Sequence, residues 1–152
     1  MMLRPSPAVT RLAEMRARAN QLGLSVRIPS SGAGNESIKG CIYSIPLSQR
    51  VRKNELFENW TLKRLGFVHE IHFYKHWDWG GDGRPLKGFV RALPDILDGL
   101  PEGITLIECN KGGLGVLWDE SRRGDTSEGA VDKIHVLLKS LTQAMDQGMD
   151  QK

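Results

Sequence analysis

Apolar residues recur at intervals of three and four over residues 6 to 22, where Ala8, Leu12, Met15, Ala19 and Leu22 stack on one face. That spacing predicts an amphipathic helix, stopped at Gly23. Two strands should follow, because "LSVRIP" alternates and "IKGCIYSIPL" is a short apolar run. Pro46 ends the second strand or confines it to a sheet edge. Residues 48 to 65, "SQRVRKNELFENWTLKRL", read as a helix capped by Ser48 and stopped by Gly66, with Val51, Phe57, Trp60 and Leu65 on a loosely periodic face. Leu86, Phe89, Val90, Leu93, Leu97 and Leu100 give a further helix between Pro85 and Gly99, which Pro94 should kink or divide. "ITLIEC", "NKGG" and "LGVLWDE" then form a β-hairpin whose first strand is central. The last helix carries Val131, Ile134, Leu138, Leu141 and Met145 as one stripe, with Asp125 or Ser127 as its cap.

Between the second and third helices lies "FVHEIHFYKHWDWGGDG", residues 67 to 83. At strand spacing one face is Phe67, His69, Ile71, Phe73, Lys75, Trp77 and Trp79, and the other is Val68, Glu70, His72, Tyr74, His76 and Asp78. The first is largely aromatic and the second largely polar, whereas a helical wheel mixes the classes. The segment is therefore expected to be an amphipathic strand. With helices and hairpins mixed and no strict alternation, the chain belongs to the α+β class: a mostly antiparallel sheet of about five strands packed with about four helices. Residues 1–147 should form one domain and 148–152 a frayed tail.

Composition fits that picture. The 152 residues are 39% hydrophobic and 26% charged, enough for one core. No apolar run is long enough for a signal peptide or a membrane span, so a cytoplasmic location without membrane association is expected. Cys41 and Cys109 stand alone in apolar runs and read as reduced core thiols. The net charge of +3 is uneven: residues 1–66 hold eleven Lys or Arg against four Asp or Glu, and the remainder ten against fourteen. A basic first part can steer an anionic partner.

Strand spacing also reshapes the candidate chemistry. His72 and His76 would share a metal ion on a helix, but on a strand they stand roughly 13 Å apart, too far for ligands bound at about 2 Å. Glu70 with His72, and His76 with Asp78, remain close enough for a carboxylate to orient an imidazole, which makes these four the candidate catalytic residues of a hydrolase or nuclease, with or without a divalent ion. No metal set or cofactor is assigned. "PDILDGLPEGITLIECNK" carries the loose outline of a restriction-type nuclease centre, but Glu108 and Lys111 are one residue too far apart and fall on opposite faces of a strand. "KGGLG" is hairpin chemistry, since no helix follows it. GxSxG, HExxH and Walker patterns are missing from the sequence.

The basic residues favour a different class. Arg11, Arg18, Arg50, Arg52, Lys53, Lys63 and Arg64 fall on two expected helices and can neutralise phosphates if those helices share a face. Tyr74, Trp77 and Trp79 are residue types that anchor protein interfaces, with Trp79, at the strand end, the most exposed. The leading expectation is a small non-enzymatic binding or accessory protein, such as a regulator, an inhibitor or an immunity protein. Its partner is nucleic acid or a nucleoprotein complex ahead of a protein alone. The His/carboxylate hydrolase is the alternative, and self-association into a homodimer through a sheet edge or Trp79 is a third option.

Overall fold

The computed structural model describes residues 7–28, 40–64, 73–100, 103–119 and 127–149, with the side chains of residues 7–12 and 127–128 outside that description. In chain order the elements are α1 (Pro7–Gln21), β1 (Ser25–Arg27), β2 (Cys41–Ile45), α2 (Gln49–Arg52), β3 (Trp60–Arg64), β4 (Trp77–Trp79), α3 (Lys87–Asp98), β5 (Ile104–Asn110), β6 (Gly113–Trp118) and α4 (Ser127–Gly148). The strands form one sheet in the order β1-β2-β6-β5-β3-β4, antiparallel at every pairing. The chain is thus of the α+β class, with four described helices and six described strands. None of the described helices is long and apolar enough to cross a membrane.

One face of the sheet builds the core. Tyr43, Val116, Ile107 and Leu62 come from alternate positions of four neighbouring strands, and they bury against Met15 of α1, Leu93 of α3 and Ile134, Leu138 and Leu141 of α4. Each such side chain contributes roughly 1.5–3 kcal/mol on leaving water. The helices therefore share one side of the sheet. On the other side the register aligns Arg27, Ile42, Leu117, Leu106, Lys63 and Asp78 across all six strands. The next row holds Ser25, Ser44, Gly115, Glu108 and Thr61. Arg27 donates to Glu108 from three strands away, a gap of roughly 14 Å between strand axes. Gly115 occupies the row beneath, where an added Cβ would lie 2.9 Å from Ile42 Cγ2.

Two segments depart from the sequence pattern. Residues 48 to 65 are not one helix: a single turn, α2, gives way to an irregular link and then to β3. Asn54 makes the break, because its Oδ1 accepts the Leu56 N–H at 2.8 Å while the Phe57 N–H donates to its carbonyl at 3.0 Å. A short side chain that bonds the nearby backbone competes with helix continuation. Beyond it, Trp60 and Leu62 alternate into the core and pair with Cys109 and Ile107. The β5 edge offers ladder hydrogen bonds that an isolated helix cannot match, so tertiary pairing overrides propensity.

The third helix runs unbroken from Lys87 to Asp98 with Pro94 inside it, rather than dividing there. Leu93 and Leu97 on either side are both buried in the same core and hold the two turns together. Gly88 of α3 meets Gly148 at the end of α4 so closely that a Cβ on Gly88 would stand 2.6 Å from the Gly148 carbonyl oxygen. Cys41 and Cys109 are buried thiols outside any disulfide, as lone apolar cysteines should be. Burial, and after it the Glu108 carboxylate, pushes the Cys109 thiol up to about 12.

Candidate functional site

Glu70 and His72, the first carboxylate-histidine pair, lie outside the described residues. The second pair, His76 and Asp78, does not lie on a continuous strand. The chain reverses within four residues: Tyr74 and Trp77 form an antiparallel bridge, with the Trp77 N–H donating to the Tyr74 carbonyl at 2.8 Å. Lys75 occupies the left-handed region at φ 50° to close the turn, a conformation that β-carbon sterics make uncommon. His76 is consequently exposed at the turn tip. Asp78 stands on β4 opposite Lys63, and its Oδ1 accepts the Trp79 N–H at 2.8 Å. Among the described residues no group of three His, Cys, Asp or Glu side chains is placed to hold a metal ion.

A carboxylate from α3 fixes this turn. Tyr74 Oη donates to Asp98 Oδ2 and Lys75 Nζ to Asp98 Oδ1, each at 2.8 Å, and Lys75 Nζ sits 5.2 Å from the Tyr74 ring centroid. The Lys75 hydrogen bond, followed by that of Tyr74, lowers Asp98 below its ordinary 3.8. The same Asp98 contact raises Lys75 above 10.5. The signs define a window. The Asp98 contribution is present above the unfolded carboxylate value and is lost as pH falls through the lowered one; that of Lys75 is present below its unfolded value and is lost as pH rises through the raised one. The Asp98 carboxyl carbon, followed by NMR, should therefore titrate with a midpoint below 3.8, and a midpoint at or above that value contradicts the contact.

The aromatic residues of this segment pack inward to different degrees. Trp77 is buried in the core, and Trp79 is half-buried. Phe73 and Trp79 meet at 4.8 Å between ring centroids, their planes tilted by 45°, because the hairpin brings them together. Arg84 lies 4.7 Å over the Trp79 ring and donates to the carbonyls of Gly81 and Gly83, which ties down the glycine loop. Tyr74 is half-buried with its hydroxyl held by Asp98.

The basic residues separate into three places. Arg18 on α1 pairs with Asp132 of α4 at 3.0 Å, while the Arg11 side chain is outside the described set. Arg50, Arg52 and Lys53 are exposed on α2 and its C-cap. Ser48 fixes that turn: its Oγ accepts the Val51 N–H at 3.3 Å and donates to Asp146 of α4 at 2.8 Å. Asp132 and Asp146 are fourteen residues apart on one helix, about 21 Å along its axis, so the α1 and α2 cations flank opposite ends of α4. Lys63 and Arg64, expected on a helix, stand instead on β3.

Beside α2 lies an apolar cleft that no periodicity in the sequence announced. Its walls include Val51, Phe57, Trp60, Leu86, Phe89 and Met145, with Asn54, Leu56, Glu58 and Pro85 completing the lining, and its closed space is about 10 Å³, room for a single water. Trp60 is 3% exposed, and its ring stands 5.4 Å from Phe89 and 6.2 Å from Trp79. The Trp60 Nε1–H is buried without an acceptor among the described residues. Leaving such a donor unpaired costs about 1–3 kcal/mol. The sequence carried one usable sign of this arrangement, the turn-forming Asn54 set between the cationic run and Trp60.

Comparison with known proteins returns no matching family model, no matching curated protein and no matching solved structure.

Proposed function

We propose that this protein is a non-catalytic binding module that engages nucleic acid, with the cationic turn at α2 as its phosphate-contacting element. The observation that carries this reading is the placement of Arg50, Arg52 and Lys53: three exposed cations within four residues, presented by a turn anchored to α4 through Ser48 and Asp146. Other surface cations face carboxylates, Arg18 with Asp132, Arg27 with Glu108 and Lys75 with Asp98. The uneven distribution of charge in the sequence supports the same reading, because phosphate contacts dominate nucleic-acid affinity.

A titration of a labelled single strand at several salt concentrations tests it. Each neutralised phosphate contributes about 0.7 to the slope of log K against log salt for a single strand. Replacing Arg50, Arg52 and Lys53 together by glutamine should reduce that slope by about 2 and weaken binding at low salt roughly tenfold or more. Equal affinity and equal slope in the two proteins would remove α2 as the contact surface.

A further inference from the structure

We infer that the free edge of β1 pairs with the β1 edge of a second copy of this chain, so that two sheets join antiparallel about Val26. The sheet ends in β1 on one side and β4 on the other, and the two edges differ. Along an antiparallel ladder, successive residues turn their backbone groups alternately to one side and the other. The Gly80 N–H donates to the Thr61 carbonyl of β3 at 2.7 Å, so Asp78, two residues back, also faces β3 and Trp77 and Trp79 face outward. Their outward N–H groups are already taken. Trp77 donates to the Tyr74 carbonyl, and its own carbonyl accepts from Phe73 and Tyr74, while the Trp79 N–H donates to the Asp78 carboxylate.

The same alternation, carried from Thr61 through the registers of β5, β6 and β2, turns Ser25 and Arg27 toward Ser44 and Ile42. Val26 is left with its N–H and carbonyl on the open side, where neither has a hydrogen-bond partner among the described residues. A second β1 is complementary to this edge. A two-fold axis at Val26 lets each copy's Val26 N–H donate to the other's carbonyl, and it sets Arg27 of one copy opposite Ser25 of the other. Arg27 is drawn away to Glu108 across the outer face, which keeps like charges off the seam. Ile28, 78% exposed one residue beyond the strand, comes to lie beside Leu24 of the other copy. Because β4 is closed, joining stops at two copies instead of running on into a filament. A three-residue strand supplies few hydrogen bonds, so the dimer should form reversibly.

Sedimentation of the full chain over a wide range of concentration tests this. The mass should rise from one chain toward two, and deuterium exchange at the Val26 amide should slow in step. Val26→Pro removes the outward N–H without removing a ladder bond to β2, and proline is admitted on edge strands. That variant should keep its circular dichroism and stay monomeric. Ser25→Lys, at an exposed position, sets a lysine opposite Arg27 of the other copy and should raise the dissociation constant severalfold, which keeps the test intact if the proline variant does not fold. The mass of one chain at every concentration overturns the proposal. So does a dimer in which the Val26 amide exchanges as fast as in the monomer, or one that the folded variants form as readily as the unaltered protein.

Discussion

Phe89→Ala is expected to lower the free energy of unfolding by about 3–5 kcal/mol and the melting temperature by roughly 10 °C. Phe89 is 1% exposed, packs its ring on Trp60 and sits in the wall of the cleft as well as in the main core. Truncation removes the transfer energy of a benzyl group and leaves a void that the sheet on one side and α4 on the other cannot close, because both are fixed by many other contacts. Total stability for a domain of this size is about 5–15 kcal/mol, so the variant should be near the limit of folding. Leu56→Ala is the matched control, since Leu56 lines the same cleft but is 72% exposed; its effect should stay within about 0.5 kcal/mol. Urea denaturation of the two variants checks this, and a loss below about 1 kcal/mol for Phe89→Ala would contradict the packing described.

The second large effect concerns the glycine loop. A Cβ on Gly83 would lie 1.8 Å from the Asn59 carbonyl oxygen, a backbone atom that cannot swing aside. Asn59 immediately precedes Trp60 and β3, so the chain that enters the cleft wall and the loop that leaves β4 meet at this point. Gly83→Ala should force them apart and cost about 1–3 kcal/mol. It should also disturb Arg84, whose guanidinium holds the loop carbonyls and covers Trp79. Gly81→Ala offers the comparison, because nothing lies within 4 Å of the Cβ it would add. Thermal unfolding of the pair should show a clear drop for position 83 and little change for position 81; equal melting temperatures would mean that the close approach is absent.

Much of the fold was legible because local and tertiary preferences agree over most of the chain. The three-and-four spacing of Ala8, Leu12, Met15 and Ala19, and that of Val131, Ile134, Leu138 and Leu141, marks α1 and α4, and "NKGG" between two apolar runs marks the β5–β6 hairpin. Where the two preferences conflict, the pattern misleads. Residues 48 to 65 hold good helix formers, yet β5 has an open edge and Asn54 offers a turn, and neither the edge nor its vacancy is visible in the segment itself. The turn at Lys75 and His76 contains no glycine, proline, asparagine or aspartate; its anchor is Asp98, 23 residues away.

The candidate site divides in the same way. Arg50, Arg52 and Lys53 stand together in the sequence and remain together in the fold. The cleft beside them could not be read from the chain, because its walls come from three separate segments, residues 51–60, 85–89 and 145. Lys63 and Arg64 were grouped with these cations only by the expectation of a shared helix, which β3 replaces. The mixed outer face of the sheet, with Arg27 laid across to Glu108, likewise depends on a strand order that no local signal specifies.

The central claim, that nucleic acid is engaged at α2, is tested most directly by mapping amide resonances during titration with an oligothymidylate decamer. The account predicts shifts concentrated on residues 48–54 that fade as salt is raised. Shifts confined to Arg27, Thr61, Lys63 and Glu108 on the outer face of the sheet, or an unchanged spectrum at low salt, would contradict it.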